Sequence, residues 1–340
     1  MRRTVPIATT AGRRVSTSWK RSLSTAVRDS DELIDLLSLS DELREPARRL
    51  SAEFPLVVPR SYVSRMTPGD PRDPLLLQVL PLHVEENQVA GFNRDPVGEL
   101  PARRAPGLIQ KYRGRALLVV TGTCAVHCRY CFRRHYPYEE TPAGITAWQP
   151  AIEALERDPS IGEVILSGGD PLVLTDRVLS RLVDRLEAIP HLRRLRIHSR
   201  LPIVIPERVD ASLLAWLTST RLAPWVVVHA NHAREIDSLC GSALKRLVDA
   251  GIPVLNQAVL LRGINDDADT QAALSERLMD VKVIPYYLHQ LDPVEGAAHF
   301  HVPESRGVEI VEELRRRLPG FGVPRYVREV AGEASKIELR

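Results

Sequence analysis

From Arg115 onward, short β-branched apolar runs alternate with amphipathic segments, and this alternation restricts the fold more than any other feature of the sequence. ALLVVT precedes a helical pattern over Trp148–Arg157, EVILSG precedes Asp176–Ile189, and RLRIHS precedes Val209–Thr218. WVVVHA, PVLNQAVLL and VKVIPYYLH lead in the same way to Ala243–Ala250, Asp269–Met279 and Glu304–Leu318. Strands buried on both faces read as continuous apolar runs, and a helix after each one favours parallel pairing through right-handed crossovers. Six such units predict an α/β architecture, either closed or partly closed into a barrel or laid out as a doubly wound open sheet. Both place chemistry at the carboxyl ends of strands, and the polar motifs of this chain fall just after them.

Ahead of this region, SDELIDLLSLSDELREPARRLSA (30–52) carries leucines at helical spacing with acidic first turns, predicting a small helical region. The Pro- and Arg-rich stretch from Pro55 to about Pro106 reads as irregular connections. MRRTVPIATTAGRRVSTSWKRS, at the start, is basic and Ser/Thr-rich but lacks the apolar core of a secretory signal, so a poorly ordered N-terminus is expected. No run approaches the ~20 apolar residues of a membrane span. With 46 basic and 43 acidic residues, the net charge of +3 gives no footprint for nucleic acid. Four cysteines, three of them clustered, are too few for a secreted disulfide framework, which points to the reducing cytoplasm.

The cluster lies in GTCAVHCRYCFRRHY (122–136), directly after the first strand, where Cys124, Cys128 and Cys131 give the spacing C-x3-C-x2-C. Thiolates in this pattern suit an iron–sulfur cluster, with three ligands leaving one iron open; zinc, completed by His127 or His135, is the competing reading. Inert buried cysteines are a third reading, poorly matched to the basic and aromatic neighbours. LSGGDPL (166–172) follows the second strand. Gly168 and Gly169 let backbone approach a ligand closely, and Asp170 can accept from an ammonium.

With Tyr130 before the third cysteine, the spacing resembles the signature of the radical S-adenosylmethionine (SAM) enzymes, and CRYCFRRHYPY is similar to the lysine 2,3-aminomutase family among them. The resemblance implies a partial (β/α)6 TIM-like barrel: an N-terminal helical and irregular region at 1–106, the core at 107–320, and a C-terminal segment at 321–340. It implies a 4Fe-4S cluster on Cys124, Cys128 and Cys131, and S-adenosyl-L-methionine held by Tyr130, Ser167, Gly168, Gly169, Asp170, Ser199, His229 and Gln257. Asn231 and His232, in VVVHANH, read equally well as ordinary loop residues. Pyridoxal 5'-phosphate (PLP) is implied on Lys336 in GEASKIELR, its phosphate held by Lys111, Tyr112 and Arg115 in QKYRGRALLVVTGTC. Lys111 replaces the commoner arginine, and an ammonium cannot copy a bidentate guanidinium grip.

For the substrate, L-lysine, the resemblance implies Arg133 at the carboxylate and Asp292 and Glu329 at the ε-ammonium, with glutamate in place of the family's second aspartate. The implied reaction is isomerisation of L-α-lysine to (R)-β-lysine. SRLPIVIP, NQAVLLRGIND and an end close behind Lys336 resemble the branch that serves elongation factor P. A functional link to that factor and its β-lysine ligase, an external electron donor and a homo-oligomer are therefore expected, with no nucleic-acid or membrane partner. A 2,3-aminomutase producing β-lysine or another β-amino acid as a free metabolite is the alternative among enzymes. Outside them stands a structural zinc site on a binding module.

Overall fold

A single sheet runs through the computed structural model, which describes residues 18–140 and 144–340. β1 (Arg103–Ala105) and β2 (Leu108–Ile109) form a short hairpin, and β2 pairs antiparallel with β3 (Arg115–Thr121). From β3 the pairing is parallel through β4 (Glu163–Gly168), β5 (Arg194–Ser199), β6 (Ala223–Val228), β7 (Val254–Val259), β8 (Ile284–His289) and β9 (Arg325–Arg328). β10 (Ile337–Glu338) folds back antiparallel on β9. Spatial order is chain order throughout. A doubly wound sheet reverses its order at a switch point, so the barrel reading is the one realised. Among the described residues β1 and β10 do not pair with each other, and the barrel stays partial.

A helix follows each of β3 to β8, at Gln149–Arg157, Asp176–Glu187, Ala211–Ser219, Ser238–Asp249, Ala268–Asp280 and Glu304–Arg317. These are the six expected units, and β9 adds a seventh parallel strand between β8 and the edge strand β10. Leu118, Val119 and Val120 of β3 are all fully buried, because helices cover one face of the sheet and the barrel interior covers the other. Aspartates set where three of the helices begin. Asp210 accepts from the Leu213 amide at 2.9 Å, and Asp237 and Asp267 accept from those of Cys240 and Thr270 at 2.8 Å, satisfying donors that lack a helical partner. The Asp237 cap starts its helix at Ser238, ahead of the apolar spacing that begins at Ala243.

Helices Ser30–Leu36 and Arg44–Glu53 occupy the expected N-terminal helical region. Residues 1–17 of the basic start lie outside the described residues. Its last residues belong instead to a helix, Trp19–Ser24, because Trp19 is buried with the Arg208 guanidinium 4.7 Å over its ring. The Pro- and Arg-rich stretch is mostly irregular, interrupted by one-turn helices at Arg60–Val63 and His83–Glu86 and ending in β1, and it does more than connect. Gln78, Glu85 and Glu99 are buried in it, and the carbonyls of Val57 and Gln78 accept from His127 and Arg129 at 2.9 Å, bracing the loop after β3. No helix among the described residues is long and apolar enough to cross a membrane.

Gly307, in the helix after β8, stands so close to β9 that an added Cβ would lie 2.2 Å from Cζ of Tyr326. Alanine ordinarily gains about 1 kcal/mol over glycine inside a helix, whereas overpacking a core costs about 1–3 kcal/mol. The clash with a buried ring dominates, and Gly307→Ala is expected to lower stability by about 1–2 kcal/mol, read as a lower urea midpoint.

Candidate active site

The loop after β3 carries Cys124, Cys128 and Cys131 into one wall of a cavity of about 810 Å³. Burial pushes the Cys124 thiol well up, reinforced by Cys131, and pushes Cys131 up to about 11, reinforced by Cys128. Thiols held up in this way, as Cys124 and Cys131 are, fit a cationic centre, which favours their thiolates when bound. Neither nearby histidine completes a zinc site. His127 donates from Nδ1 to the Pro55 carbonyl at 2.7 Å and stacks on Phe54, while His135 Nε2 lies 3.2 Å from the Glu295 carbonyl. Among the described residues no three His, Cys, Asp or Glu side chains close on a point fit for a single metal ion. The donor set fits an iron–sulfur cluster and not a mononuclear zinc.

The loop after β4 is pressed against the cysteine loop. A Cβ on Gly169 would lie 2.3 Å from the Thr123 carbonyl oxygen, and one on Gly168, at φ +122°, would lie 2.4 Å from that of Thr121. Through this contact the Gly169 and Asp170 amides donate to Thr121 and Thr123 at 2.7 and 2.8 Å. Asp170 departs from its expected role of accepting from a ligand ammonium. Its carboxylate already accepts from the Leu172 amide and the Ser199 hydroxyl on Oδ1, and from the Arg200 and Leu201 amides on Oδ2, at 2.7–3.1 Å. A carboxylate offers about four lone-pair directions, and all are used.

Tyr130 lines the cavity with its ring and buries its hydroxyl in a network. That hydroxyl donates to Gln78 Oε1 at 3.3 Å and accepts from Arg200 Nη1 and Asn231 Nδ2 at 2.9 and 2.7 Å, with His229 Nε2 at 2.9 Å. Burial and the charge of Arg200 hold His229 at about 3, so its ring is neutral. Asn231 belongs to this network, whereas His232 caps a turn by accepting from the Arg234 amide at 3.1 Å. Gln257 lies 3.5 Å from His198 across the cavity wall.

Lys336 reaches the same cavity from the segment between β9 and β10. Glu329, just past β9, forms ion pairs with both Lys336 and Lys111. Burial alone would raise the Glu329 carboxyl, but the two ammonium groups outweigh it and hold it at about 2. Asp292 lacks such a partner among the described residues, and burial plus the charge of Glu329 push it up to about 7. Arg115 lies over the Tyr112 ring at 4.5 Å, and no carboxylate among the described residues forms an ion pair with it. Lys111, expected beside a phosphate with those two, is turned to Glu329 and to the Val97 carbonyl at 3.2 Å.

Arg133, expected to be free for a substrate carboxylate, is already engaged. Its Nε and Nη2 donate to Glu99 at 2.7 and 2.6 Å, and Nη1 donates to the Ser167 hydroxyl at 2.9 Å and the Gly168 carbonyl at 3.2 Å. One N–H of its five is left. Every other residue expected in the site, including Ser199 and Gln257, also lines this cavity. Sequence reasoning missed Arg200, Gln78, Glu235 and Glu99. Arg200 follows the strand RLRIHS and Glu235 lies in the turn after β6, so both carried a positional signal; Gln78 and Glu99 sit in irregular chain with none.

A family model described as "4Fe-4S single cluster domain" matches residues 112–193, the stretch from Tyr112 through the cysteine loop and the helix after β4. Across nearly the whole chain, the L-lysine 2,3-aminomutase of Escherichia coli K12 is 47% identical over 322 residues, covering 94% of each protein. This chain belongs to the lysine 2,3-aminomutase family. The Bacillus subtilis L-lysine 2,3-aminomutase is 36% identical over 95% of this chain and 68% of its own length. A crystal structure of Streptococcus suis SuiB bound to S-adenosylmethionine overlays with a TM-score of 0.48 at 12% identity, covering 64% of this chain and about half (51%) of that one. By that family the protein is an aminomutase, an isomerase, and its cysteine loop lies within the stretch matched by the 4Fe-4S cluster domain.

The unpartnered acid of this aminomutase makes its stability depend on pH. Without cofactors, folded Asp292 keeps its proton up to about pH 7, while in the unfolded chain an aspartate releases it near 3.9. The unfolded state binds fewer protons in that window, so this group's contribution falls as pH rises from about 4 to about 7. Asp292→Asn is expected to unfold at higher urea than the parent near pH 8, by on the order of a few kcal/mol, and with little difference near pH 4. Glu329 has the opposite sign, its contribution being lost as pH falls from about 4 through about 2.

Proposed function

We propose that this aminomutase converts L-α-lysine to (R)-β-lysine with PLP as its second cofactor, and that the product serves modification of elongation factor P. The observation that carries the reading is one cavity lined both by the three thiols and by Lys336. SAM with the cluster supplies hydrogen abstraction from an unactivated carbon, and PLP supplies a conjugated system for nitrogen migration, neither of which a side chain can provide.

The residues divide this work by charge. Lys336 offers an amine for the carbonyl of PLP, and Arg115 beside Tyr112, which pairs with no carboxylate among the described residues, is suited to a phosphate. Asp292, close to half-protonated at neutral pH, becomes an ionised acceptor when a substrate ammonium arrives beside it. The Glu329 carboxylate, already paired with Lys111 and Lys336, is the second acid for that ammonium, and Arg133, held flat by Glu99, presents its remaining N–H to the substrate carboxylate. An uncharged tail would leave the buried Asp292 without a cation to ionise against, whereas the lysine ammonium supplies one, which favours lysine. The elongation factor P role draws support from the resemblance of SRLPIVIP and NQAVLLRGIND.

Anaerobically reconstituted protein with PLP, SAM, a strong reductant and L-lysine is expected to form β-lysine, and Lys336→Ala and Cys128→Ala each to abolish it. Borohydride reduction followed by peptide mass analysis should place the pyridoxyl group on Lys336. SAM cleavage without β-lysine would discard lysine as substrate. In a host lacking its own aminomutase, elongation factor P should gain the mass of one β-lysyl group; free β-lysine with unmodified factor would favour the free-metabolite enzyme.

A further inference from the structure

Arg200, the first residue after β5, has a use that neither substrate nor SAM explains. Its Nη1 donates to Cys128 Sγ at 2.6 Å and to the Tyr130 hydroxyl at 2.9 Å. Its Nη2 donates to Gln78 Oε1 at 2.6 Å, Glu235 Oε2 at 2.8 Å and the Tyr62 hydroxyl at 3.2 Å, while its own amide is held by Asp170. The guanidinium is therefore fixed by the N-terminal region, the loop after β6 and the cysteine loop at once. Its side chain is 6% exposed and that of Glu235 is fully buried. Among the described residues no other charged side chain donates to a cysteine of the loop.

A charged donor on a ligating sulfur stabilises the electron-rich state of a cluster, and burial strengthens the effect by lowering the local dielectric. If Arg200 served only as the partner of Glu235, it could point away from the sulfur; instead one of its terminal nitrogens faces Cys128 and the other faces Glu235. We propose that Arg200 is a positioning residue that raises the reduction potential of the cluster through its hydrogen bond to Cys128, with Glu235 limiting the rise. The inference rests on the cluster held by Cys124, Cys128 and Cys131.

The test is an electron paramagnetic resonance redox titration of anaerobically reconstituted full-length protein without SAM, after iron and sulfide analysis. Arg200→Met is expected to keep its iron and to lower the reduced-to-oxidised ratio at a fixed poise about tenfold, equivalent to about 59 mV for one electron. Arg200→Lys should recover part of the shift, and Glu235→Gln should move the potential the opposite way. An Arg200→Met protein with full iron and an unchanged potential overturns the inference. Should that variant retain no iron, Glu235→Gln decides: an upward shift supports the proposal and an unchanged potential overturns it. Parent protein that takes up no four-iron cluster would overturn the cluster assignment with it, an outcome read in the iron analysis before any titration.

Discussion

The rim of the cavity is held together by one buried carboxylate. Asp170 takes two backbone amides from the segment after β5, one from its own turn and the hydroxyl of Ser199, while its own amide reaches back to Thr123 in the cysteine loop. A buried carboxylate is costly unless its lone pairs are filled. Filling them here forces the ends of β3, β4 and β5 into a single arrangement. The glycines before it make that arrangement sterically possible, since either one with a Cβ would drive the β4 loop off the cysteine loop. The order of the loops thus follows from the satisfaction of one side chain, and the thiols inherit their placement from it.

Charge is distributed around the cavity by the same rule of satisfaction. Near the thiols, Arg133 pairs with Glu99, Arg200 with Glu235, and Arg129 with Glu85, each pair almost wholly buried. Buried pairs of this kind contribute little net stability over apolar packing, but losing one partner strands the other at a cost of several kcal/mol. Around Lys336 the balance is looser: two lysines share one glutamate, one aspartate is near neutral, and Arg115 pairs with no acid among the described residues. The first region is built to stay as it is. The second keeps charges that a ligand can complete.

The architecture was legible in the sequence because parallel strands buried on both faces leave unbroken apolar runs, and ALLVVT and WVVVHA could be little else. Cysteine spacing was legible because its chemistry depends on residue type at short range, whereas the lysine in GEASKIELR was singled out by family resemblance alone, since a lone lysine near a chain end carries no local signal. What could not be read were pairings made by folding distant chain together. Glu99, Gln78 and Glu85 sit in a Pro- and Arg-rich stretch whose composition signals only turns, yet they supply the buried partners of Arg133, Arg200 and Arg129. Asp170 looked like a ligand-facing acid because an aspartate after two glycines at a strand end has that appearance. Its saturation by backbone amides depends on the path taken after β5, which no local pattern reveals. The early start of the helix at Ser238 is a smaller case, decided by one Asp237 side chain rather than by apolar periodicity.

Lys336 rides at the entrance to β10, a two-residue strand at the open edge of the sheet. The barrel helices and β3 to β8 are tied on both sides, whereas this outermost ribbon is hydrogen-bonded on one side only. Elements with so few buried backbone bonds open far more often than the core, exchanging amide hydrogens while the rest remains closed. The lysine proposed to carry a covalent cofactor is thereby placed on the part of the molecule that can peel away at least cost. Loading and release at that lysine then become a matter of fraying one edge, with the loops around the thiols undisturbed.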